Sequence, residues 1–368
     1  MQAKQQVLNL PVYQPGKPIE EVKRELGLTK VIKLASNENP FGCSSKAKEA
    51  ILADLEHLSL YPDGAGAEVT RAVAEHYGFS ADQLIFGTGS DDVILMIARA
   101  YLLPGDETIM ASHTFPQYKH NAEIEGAVSI QVPLKDGKHD LDAMLECVTE
   151  RTKIIWVCNP NNPTGTIVSH DELLAFIAKI PPSVMVVLDE AYYEYATTAE
   201  YPQSLELLQA YPNLVILRTF SKIYGLAALR VGYGIGRPDV IRTINQVREP
   251  FNTSRLAQAA AAAAIRDQQF VDQCRVRNAE GLKYLETEFQ RLKLTFFPAH
   301  GNFIMVDIGR PSGPVFDALL KQGIIVRSGE KLDFPTMLRV TVGSREQNEA
   351  FLHALEGILQ DSPKIHNT

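Results

Sequence analysis

The sequence has only four cysteines in 368 residues, and Cys43, Cys147, Cys158 and Cys274 are scattered without a CxxC pair. Such cysteines are typical of free, buried thiols in a reducing compartment rather than of a disulfide framework. The chain also has no apolar run of membrane-spanning length, and its first residues lack the apolar centre of a signal peptide. We therefore expect a cytoplasmic protein that does not associate with membranes, and we predict no metal site.

Positive charge is scarce as well. The chain carries 36 Lys and Arg residues against 44 Asp and Glu residues, which gives a net charge of -8. It has no basic tail and no run of basic residues interleaved with aromatics, so we do not expect nucleic acid as a partner. A small anionic ligand would have to bind at local positive sites against this acidic background.

What is present is the composition of a globular protein, with 45% hydrophobic and 22% charged residues, and the length favours two domains. From about Lys33 onward, apolar strand-like runs alternate with helix-like segments such as 92–101 and 171–178. The predicted strands are 84–86, 108–111, 129–132, 153–158, 184–188 and 214–217. All-apolar strands that alternate with helices are typical of a parallel sheet covered on both faces. We therefore predict an α/β fold with a mostly parallel central sheet.

The C-terminal third repeats this alternation and predicts a smaller α/β unit. Its predicted helices are 270–292, 314–322 and 347–360, and its predicted strands are 303–307, 323–327 and 338–342. Before it, six consecutive alanines, Ala259–Ala264, lie in a predicted helix over 258–265. Alanine favours helix and allows close approach, so we expect this helix to be buried against a neighbour.

A lysine follows the last apolar strand of the first unit. Lys222 is preceded by Ser221 and followed eight residues later by Arg230, in a segment with two glycines. Partial burial and a nearby cation would lower the pKa of the Lys222 amine, so that its neutral form could attack an aldehyde. Ser221 and Arg230 could hold a phosphate on the same ligand. A lone Ser-Lys pair in a loop would otherwise indicate a solvated surface.

Two further strand ends carry polar residues. Asp189 follows a buried apolar strand, where a carboxylate needs a partner; a protonated pyridine nitrogen would supply one. Tyr192 lies three residues on, and Asn159 opens a Pro- and Asn-rich turn after another strand. Both could donate hydrogen bonds to a ring oxygen of the same ligand. The alternatives are a carboxylate that caps the next segment and a plain turn.

A fourth strand ends in the glycine turn Gly87–Asp92, which precedes a predicted helix. Backbone N–H groups at the start of a helix can hold a phosphate, and Ser90 and Asp91 are candidates for this site, although both also suit plain N-caps. Phe115 could stack on an aromatic ring or simply pack in the core. Ligands of parallel α/β sheets bind beyond the carboxyl ends of the strands, where all these residues fall.

These segments together resemble the fold-type I pyridoxal-phosphate (PLP) aminotransferases of the class I/II superfamily. The resemblance runs over essentially the whole chain and rests on Asn-Pro-Asn-Asn-Pro-Thr-Gly at 159–165, Asp-Glu-Ala-Tyr at 189–192, and Ser-Lys at 221–222 with Gly-Leu at 225–226 and Arg-Val-Gly at 230–232. It implies an N-terminal arm, residues 1–33, that joins the small domain, a large PLP-binding domain over 34–250 and a small C-terminal domain over 251–368. Lys222 would form the Schiff base with PLP and shift the substrate proton.

The remaining roles are also implied by the resemblance. Asp189 would pair with the pyridinium, Asn159 and Tyr192 would hold the 3-oxygen, and Phe115 would stack on the ring. Ser90, Asp91, Ser221 and Arg230 would bind the phosphate, together with Tyr61 of the partner subunit in a homodimer with shared active sites.

Further segments resemble the branch of this family that transfers an amino group between L-histidinol phosphate and 2-oxoglutarate, a step of histidine biosynthesis. They are 34–40, 61–63, 248–252, 301–303 and 326–329. The products are imidazole-acetol phosphate and L-glutamate. One site must then hold either a phosphate ester or a carboxylate, for which Arg327 and Arg339 are the candidates, with Tyr13 and Asn37 implied nearby. An unpaired Arg339 inside an apolar strand would be costly.

Three alternatives stay open at this point. An aromatic-amino-acid or aspartate aminotransferase would share the same motifs, and so would a PLP-dependent decarboxylase of a phosphorylated amino acid. A PLP-binding transcriptional regulator is the third alternative and ranks last. Such proteins carry an added N-terminal DNA-binding domain, whereas only about 33 residues precede the fold here, without a basic helix.

Overall fold

The fold is taken from a computed structural model that describes residues 2–8, 10, 12 and 17–361. Within these residues the strands are β1 Ile32–Lys33, β2 Leu84–Gly87, β3 Glu107–Ala111, β4 Val128–Val132, β5 Thr152–Cys158, β6 Met185–Asp189, β7 Leu214–Thr219, β8 Gly232–Ile235, β9 Thr295–Phe296, β10 Phe303–Asp307, β11 Ile324–Ile325, β12 Arg327–Ser328 and β13 Met337–Thr341.

The helices are α1 Ile19–Leu26, α2 Ser45–Asp54, α3 Ala67–Tyr77, α4 Ser90–Tyr101, α5 Gln117–Ile124, α6 Leu141–Glu146, α7 His170–Ile177, α8 Ser204–Ala210, α9 Pro238–Asn245, α10 Arg255–Ile265, α11 Gln268–Arg291, α12 Ser312–Lys321 and α13 Arg345–Asp361. No helix in the described part of the chain is long and apolar enough to cross a membrane.

Seven strands form the central sheet in the order β2-β8-β7-β6-β5-β3-β4. Strands β7, β6, β5, β3 and β4 run parallel, and β8 pairs antiparallel with both β7 and β2. Strands β6 and β7 are buried along their whole length and β5 at every residue except Lys153, and an apolar core lies on each face of the sheet. The predicted α/β fold is confirmed, and the parallel strands end along one edge, next to residues 159, 190 and 220.

A second sheet of four antiparallel strands, β12-β13-β10-β9, packs with α11, α12 and α13 around a core of its own. Strand β1 of the N-terminal segment pairs parallel with β11 of this unit. The predicted strand over 323–327 is divided into β11 and β12, which belong to different sheets.

The alanine helix α10 packs on α2 and α3, and most of its alanines are buried in the core of the large sheet. The core of the small sheet draws on α11 from Leu282 onward. The domain boundary predicted after residue 250 therefore precedes a helix that packs with the large domain. We propose that the boundary falls inside α11 instead.

Candidate active site

A cavity of about 590 Å³ opens at the carboxyl edge of the large sheet, where the two units meet. Most of the residues singled out in the sequence line it: Asn37, Ser90, Asp91, Phe115, Asp189, Tyr192, Ser221, Lys222, Arg230, Arg327 and Arg339. With Cys158 and Asn162, which also line it, the cavity is built from five strand ends of the large sheet, those of β2, β3, β5, β6 and β7, and from β12 and β13 of the small sheet.

Lys222 lies just beyond β7, and its side chain is half-buried. Its Nζ lies 3.5 Å from the Ser36 carbonyl oxygen and 5.4 Å from the centroid of the Tyr192 ring. Burial, with the positive charge of Arg339 as the next cause, lowers the pKa of Lys222 to about 8. More of the amine is thus neutral and nucleophilic near neutral pH than in a solvated lysine.

Asp189 is the last residue of β6 and is almost fully buried. Burial raises the pKa of its carboxyl to about 6, although the Tyr118 hydroxyl and the Ala191 backbone N–H, which donate hydrogen bonds at 2.6 and 3.1 Å, act in the opposite direction. A carboxylate at this depth favours a cationic partner. Tyr118 was not singled out in the sequence, because it lies 71 residues from Asp189 with no motif linking them.

The glycine turn, Ser221 and Arg230 form a cradle next to Lys222. The Arg230 guanidinium donates to Ser221 Oγ at 3.3 Å and to the Thr88 carbonyl oxygen at 3.4 Å. A Cβ atom on Gly89 would stand 2.7 Å from Arg230 Nη2, and one on Gly232 would stand 2.3 Å from the Ser90 backbone nitrogen. These two glycines therefore let the start of α4 and the guanidinium approach each other closely.

Asp91 lies at the rim of this cradle, with its carboxylate 3.7 Å from Arg230 Nη2. A carboxylate repels a phosphate, so any contact from Asp91 to a phosphate would come from its backbone N–H in the first turn of α4. Ser90, the first residue of the same helix, is buried and can offer both its N–H and its hydroxyl.

The structure does not bring Asn159 into the cavity. Its amide nitrogen donates to the Val168 carbonyl oxygen at 3.1 Å, its amide oxygen accepts from the Val168 N–H at 3.0 Å, and the side chain is fully buried. Asn162, three residues on, lines the cavity instead and donates to Tyr192 Oη at 3.4 Å. Asn159 and Asn162 each precede a proline in the same turn, so the sequence carries no local signal that would have selected Asn162.

Arg327 and Arg339 lie directly opposite each other in the β12–β13 pair, so their side chains leave the same face of the small sheet. Arg339 is nearly buried and donates to Asn162 Oδ1 at 2.5 Å and to the Ala35 carbonyl oxygen at 2.8 Å. Like charges at opposite positions disfavour a strand pair. An anion bound between the two guanidinium groups would offset that repulsion.

Asn37 connects the small domain to Tyr192. Its amide donates to Tyr192 Oη at 3.0 Å, and its amide oxygen accepts from the Thr341 hydroxyl of β13 at 3.0 Å. The hydroxyl of Tyr192 is thus held from both sides, by Asn37 and Asn162. Tyr13, the other residue implied nearby, lies outside the described residues.

Tyr61 does not line the cavity of its own chain. It is 78% exposed and stacks on Phe251, with the ring centroids 4.6 Å apart. Its backbone is fixed by Arg255, whose guanidinium donates to the Tyr61 carbonyl oxygen at 3.1 Å. A contact of Tyr61 with a phosphate in the cradle would therefore have to be made across a subunit interface.

The fold and a lysine that faces a buried carboxylate across one cavity define the class of the pyridoxal-phosphate aminotransferases. The sequence model of the family "aminotransferase class I and II" matches residues 29–355. Two curated histidinol-phosphate aminotransferases are similar along their full length: the Brevibacillus brevis protein is 57% identical over 99% of this chain and 100% of its own, and the Bacillus subtilis protein is 54% identical over 98% and 100%. This chain belongs to the histidinol-phosphate aminotransferase family.

A solved structure agrees with this result. The histidinol-phosphate aminotransferase of Sinorhizobium meliloti, in complex with pyridoxal 5'-phosphate, superposes with a TM-score of 0.89 at 26% identity, covering 97% of each chain. The family resemblance given by the sequence is thus confirmed, and PLP is the cofactor of the family.

The residues of this chain fit that cofactor. The buried Asp189 favours a cation such as a protonated ring nitrogen. The cradle is kept open by glycines at the positions where a Cβ would meet Arg230 and the start of α4. The lowered pKa of Lys222 favours the neutral form of the amine, which is the form that attacks an aldehyde. One cavity therefore offers a suitable partner for each of the three functional groups of PLP, the pyridine ring, the phosphate and the aldehyde.

Proposed function

We propose that this chain transfers the amino group between L-histidinol phosphate and 2-oxoglutarate and forms imidazole-acetol phosphate and L-glutamate, a step of histidine biosynthesis. The observation that carries the proposal is the pair Arg327 and Arg339, side by side on the face of the small sheet that lines the Lys222 cavity. Both substrates of this reaction are anionic, one through a phosphate ester and the other through carboxylates. Planar guanidinium groups bind both kinds of anion with paired hydrogen bonds.

PLP, when bound, supplies a protonated aromatic ring that withdraws electrons from the α-carbon of the substrate. Lys222 is the base that takes the proton from this carbon and later returns a proton on the same side of the cavity. Asp189 would pair with the ring nitrogen and keep it protonated, while Asn162 and Tyr192 would hold the ring 3-oxygen. Ser90, Ser221 and Arg230, with the backbone N–H of Asp91, would bind the cofactor phosphate, and Phe115 would lie against the ring.

A single half-reaction tests the substrate. Purified protein loaded with PLP is mixed with histidinol phosphate in the absence of a keto acid, and the absorbance of the lysine-linked cofactor is followed. We expect rapid conversion to the pyridoxamine form, whereas phenylalanine and aspartate at equal concentration convert it more slowly by about a hundredfold, because each presents a singly charged carboxylate to the arginine pair where histidinol phosphate presents a more highly charged phosphate ester. Faster conversion by phenylalanine or aspartate would contradict the proposal.

We further propose a homodimer in which the partner subunit's Tyr61 completes the phosphate site. Support comes from a row of exposed apolar side chains next to Tyr61. Leu52, Leu55, Leu58 and Leu60 are each 40–66% exposed. Several exposed large apolar side chains within nine residues are typical of an interaction site, and an interface between two copies presents the same residues twice.

Mixed dimers test this arrangement. Lys222→Ala and Tyr61→Ala chains are each expected to have little activity at limiting PLP. A mixed dimer of the two contains one site with native Lys222 and native Tyr61 if the site is shared between chains. After random exchange of subunits between equal amounts of the two variants, about half of the dimers are mixed and each has one native site. About a quarter of all active sites should then be active. No recovery after exchange, with dimers present by light scattering, would mean that Tyr61 does not act across the interface.

A further inference from the structure

Tyr118 lies on α5 and contacts Asp189 at the carboxyl end of β6. Its side chain is fully buried, and its hydroxyl donates a 2.6 Å hydrogen bond to Asp189 Oδ2. The Ala191 backbone N–H donates to the other carboxylate oxygen, Oδ1, at 3.1 Å. Each oxygen of Asp189 therefore has one fixed donor, and these two bonds determine how the carboxylate plane is oriented in the cavity.

The Tyr118 ring is itself held on two sides. It stacks on Trp156 with a centroid distance of 5.0 Å and an angle of 10° between the planes, and it meets the edge of Phe115 at 5.7 Å. The Trp156 Nε1–H donates to Thr108 Oγ1 at 2.7 Å, which fixes the indole. The packing of the Tyr118 ring against Trp156 and Phe115 therefore fixes the position of its hydroxyl. Loss of the hydroxyl alone would leave this ring packing intact.

The charges around Asp189 show what this hydrogen bond does. Burial raises the pKa of Asp189, and the negative charges of Asp91 on α4 and of the adjacent Glu190 raise it further. Cys158 at the end of β5 stays a neutral thiol, because burial raises its pKa to about 12. The Tyr118 hydrogen bond is the largest influence that lowers the pKa of Asp189, and burial keeps the pKa of Tyr118 itself far above neutrality.

We propose that Tyr118 is a positioning residue for the cofactor, which keeps Asp189 ionised and oriented towards the protonated ring nitrogen of PLP. This inference rests on the proposed function only insofar as PLP binds at Asp189, and it does not depend on which amino acid is the substrate. Tyr118 acts through Asp189 and has no contact with the reacting atoms assigned to it.

The test is Tyr118→Phe, which removes the hydroxyl and keeps the ring stack. Without that donor, Asp189 takes up a proton at a higher pH and must lose it again before it can pair with a protonated ring nitrogen. We expect the dissociation constant of PLP, measured by absorbance, to rise about tenfold relative to wild type at pH 6, the effect of one hydrogen bond to a charged group. The difference should shrink towards pH 8.5, where Asp189 is ionised in both proteins.

A second measurement needs neither cofactor nor substrate. Because the pKa of Asp189 in the folded state, about 6, lies above its unfolded value, the stability that its proton contributes is lost as the pH rises towards and through 6. In Tyr118→Phe that loss should extend to higher pH. The midpoint temperature of thermal unfolding of the apo protein is measured from pH 5 to 8. In the variant, its decrease with rising pH should extend over a wider pH range than in wild type.

Two control variants separate positioning from general damage. Tyr233→Phe also removes a fully buried hydroxyl, one that donates to Tyr77 Oη at 3.0 Å, and it should leave both pH profiles unchanged. In an Asp189→Asn background, Tyr118→Phe should produce no pH-dependent difference. Wild-type profiles for Tyr118→Phe, or equal changes in Tyr233→Phe, would overturn the inference. Failure of the histidinol phosphate half-reaction would instead overturn the proposed substrate and leave this inference standing.

Discussion

Lys222→Ala is expected to lower transamination by at least about a thousandfold and to remove the visible absorbance of lysine-linked PLP. In the proposed mechanism, the substitution takes away both the amine that binds the cofactor and the base that moves the substrate proton. It should not disturb the fold, because the Lys222 side chain is half-buried and makes one long hydrogen bond, to the Ser36 carbonyl oxygen, besides its contact with the Tyr192 ring. Steady-state rates with histidinol phosphate, together with the absorbance spectrum of the purified protein, measure both effects.

Two matched variants show which property of Lys222 is needed. Lys222→Arg keeps the length and the positive charge, but a guanidinium stays protonated at any working pH, so it should be as inactive as the alanine variant. Lys331→Ala removes an exposed lysine from the rim of the same cavity and should retain the wild-type rate and spectrum. Residual lysine-linked absorbance in Lys222→Ala would assign the cofactor to another amine.

The large sheet could be predicted from the sequence because its strands are buried on both faces. Strands β5, β6 and β7 each contain a continuous apolar run, Ile154–Cys158, Met185–Leu188 and Leu214–Leu217, and the polar residues that follow each run lie at or near the end of the strand. That is why Lys222 and Asp189 could be predicted to meet although 33 residues separate them. Strand β8 carries two glycines within Gly-Tyr-Gly-Ile and shows no such run, so its antiparallel insertion between β7 and β2 was not foreseen.

The sequence alone could not predict which of Asn159 and Asn162 lines the cavity. Both asparagines lie in one turn with the same polar neighbours, and only the path of the chain decides which amide faces the cavity. Asn159 directly follows β5, and its side-chain amide is hydrogen-bonded to both the N–H and the carbonyl group of Val168. Asn162 follows at the point where the turn opens towards Tyr192 and Arg339. The sequence motif predicts the turn, whereas tertiary hydrogen bonds determine which of its asparagine side chains faces the cavity.

Tyr118 and Tyr61 could not be assigned from the chain alone for a different reason. The contact of Tyr118 with Asp189 depends on α5 packing across the end of β6, a long-range feature without periodic signal. Tyr61 is exposed on its own chain, so physical reasoning about one chain would class it as surface. Its proposed role depends on a second copy of the chain and was available only through resemblance.

Arg339→Ala is the second substitution for which a large effect is expected. Arg339 lines the cavity and is nearly buried, so a substrate anion that it binds there would be largely desolvated and its hydrogen bonds correspondingly strong. We expect kcat/KM for both histidinol phosphate and glutamate to fall about a hundredfold, the effect of losing a two-point bond to a charged group. The absorbance of lysine-linked PLP should persist, because the cofactor phosphate is assigned to Arg230 and the start of α4.

Arg327→Ala should act in the same direction but more weakly, because Arg327 is less buried than Arg339 and its contribution is more screened by solvent. Arg339→Lys keeps a charge but loses the planar pair of donors, so it should recover part of the affinity for the phosphate ester and less of that for the carboxylate. Arg345→Ala removes an exposed arginine that is paired with Glu349 on α13 and serves as the matched control. Unchanged Michaelis constants for both substrates in Arg327→Ala and Arg339→Ala would mean that the anions bind elsewhere in the cavity, and the repulsion between these two guanidinium groups would then need another explanation.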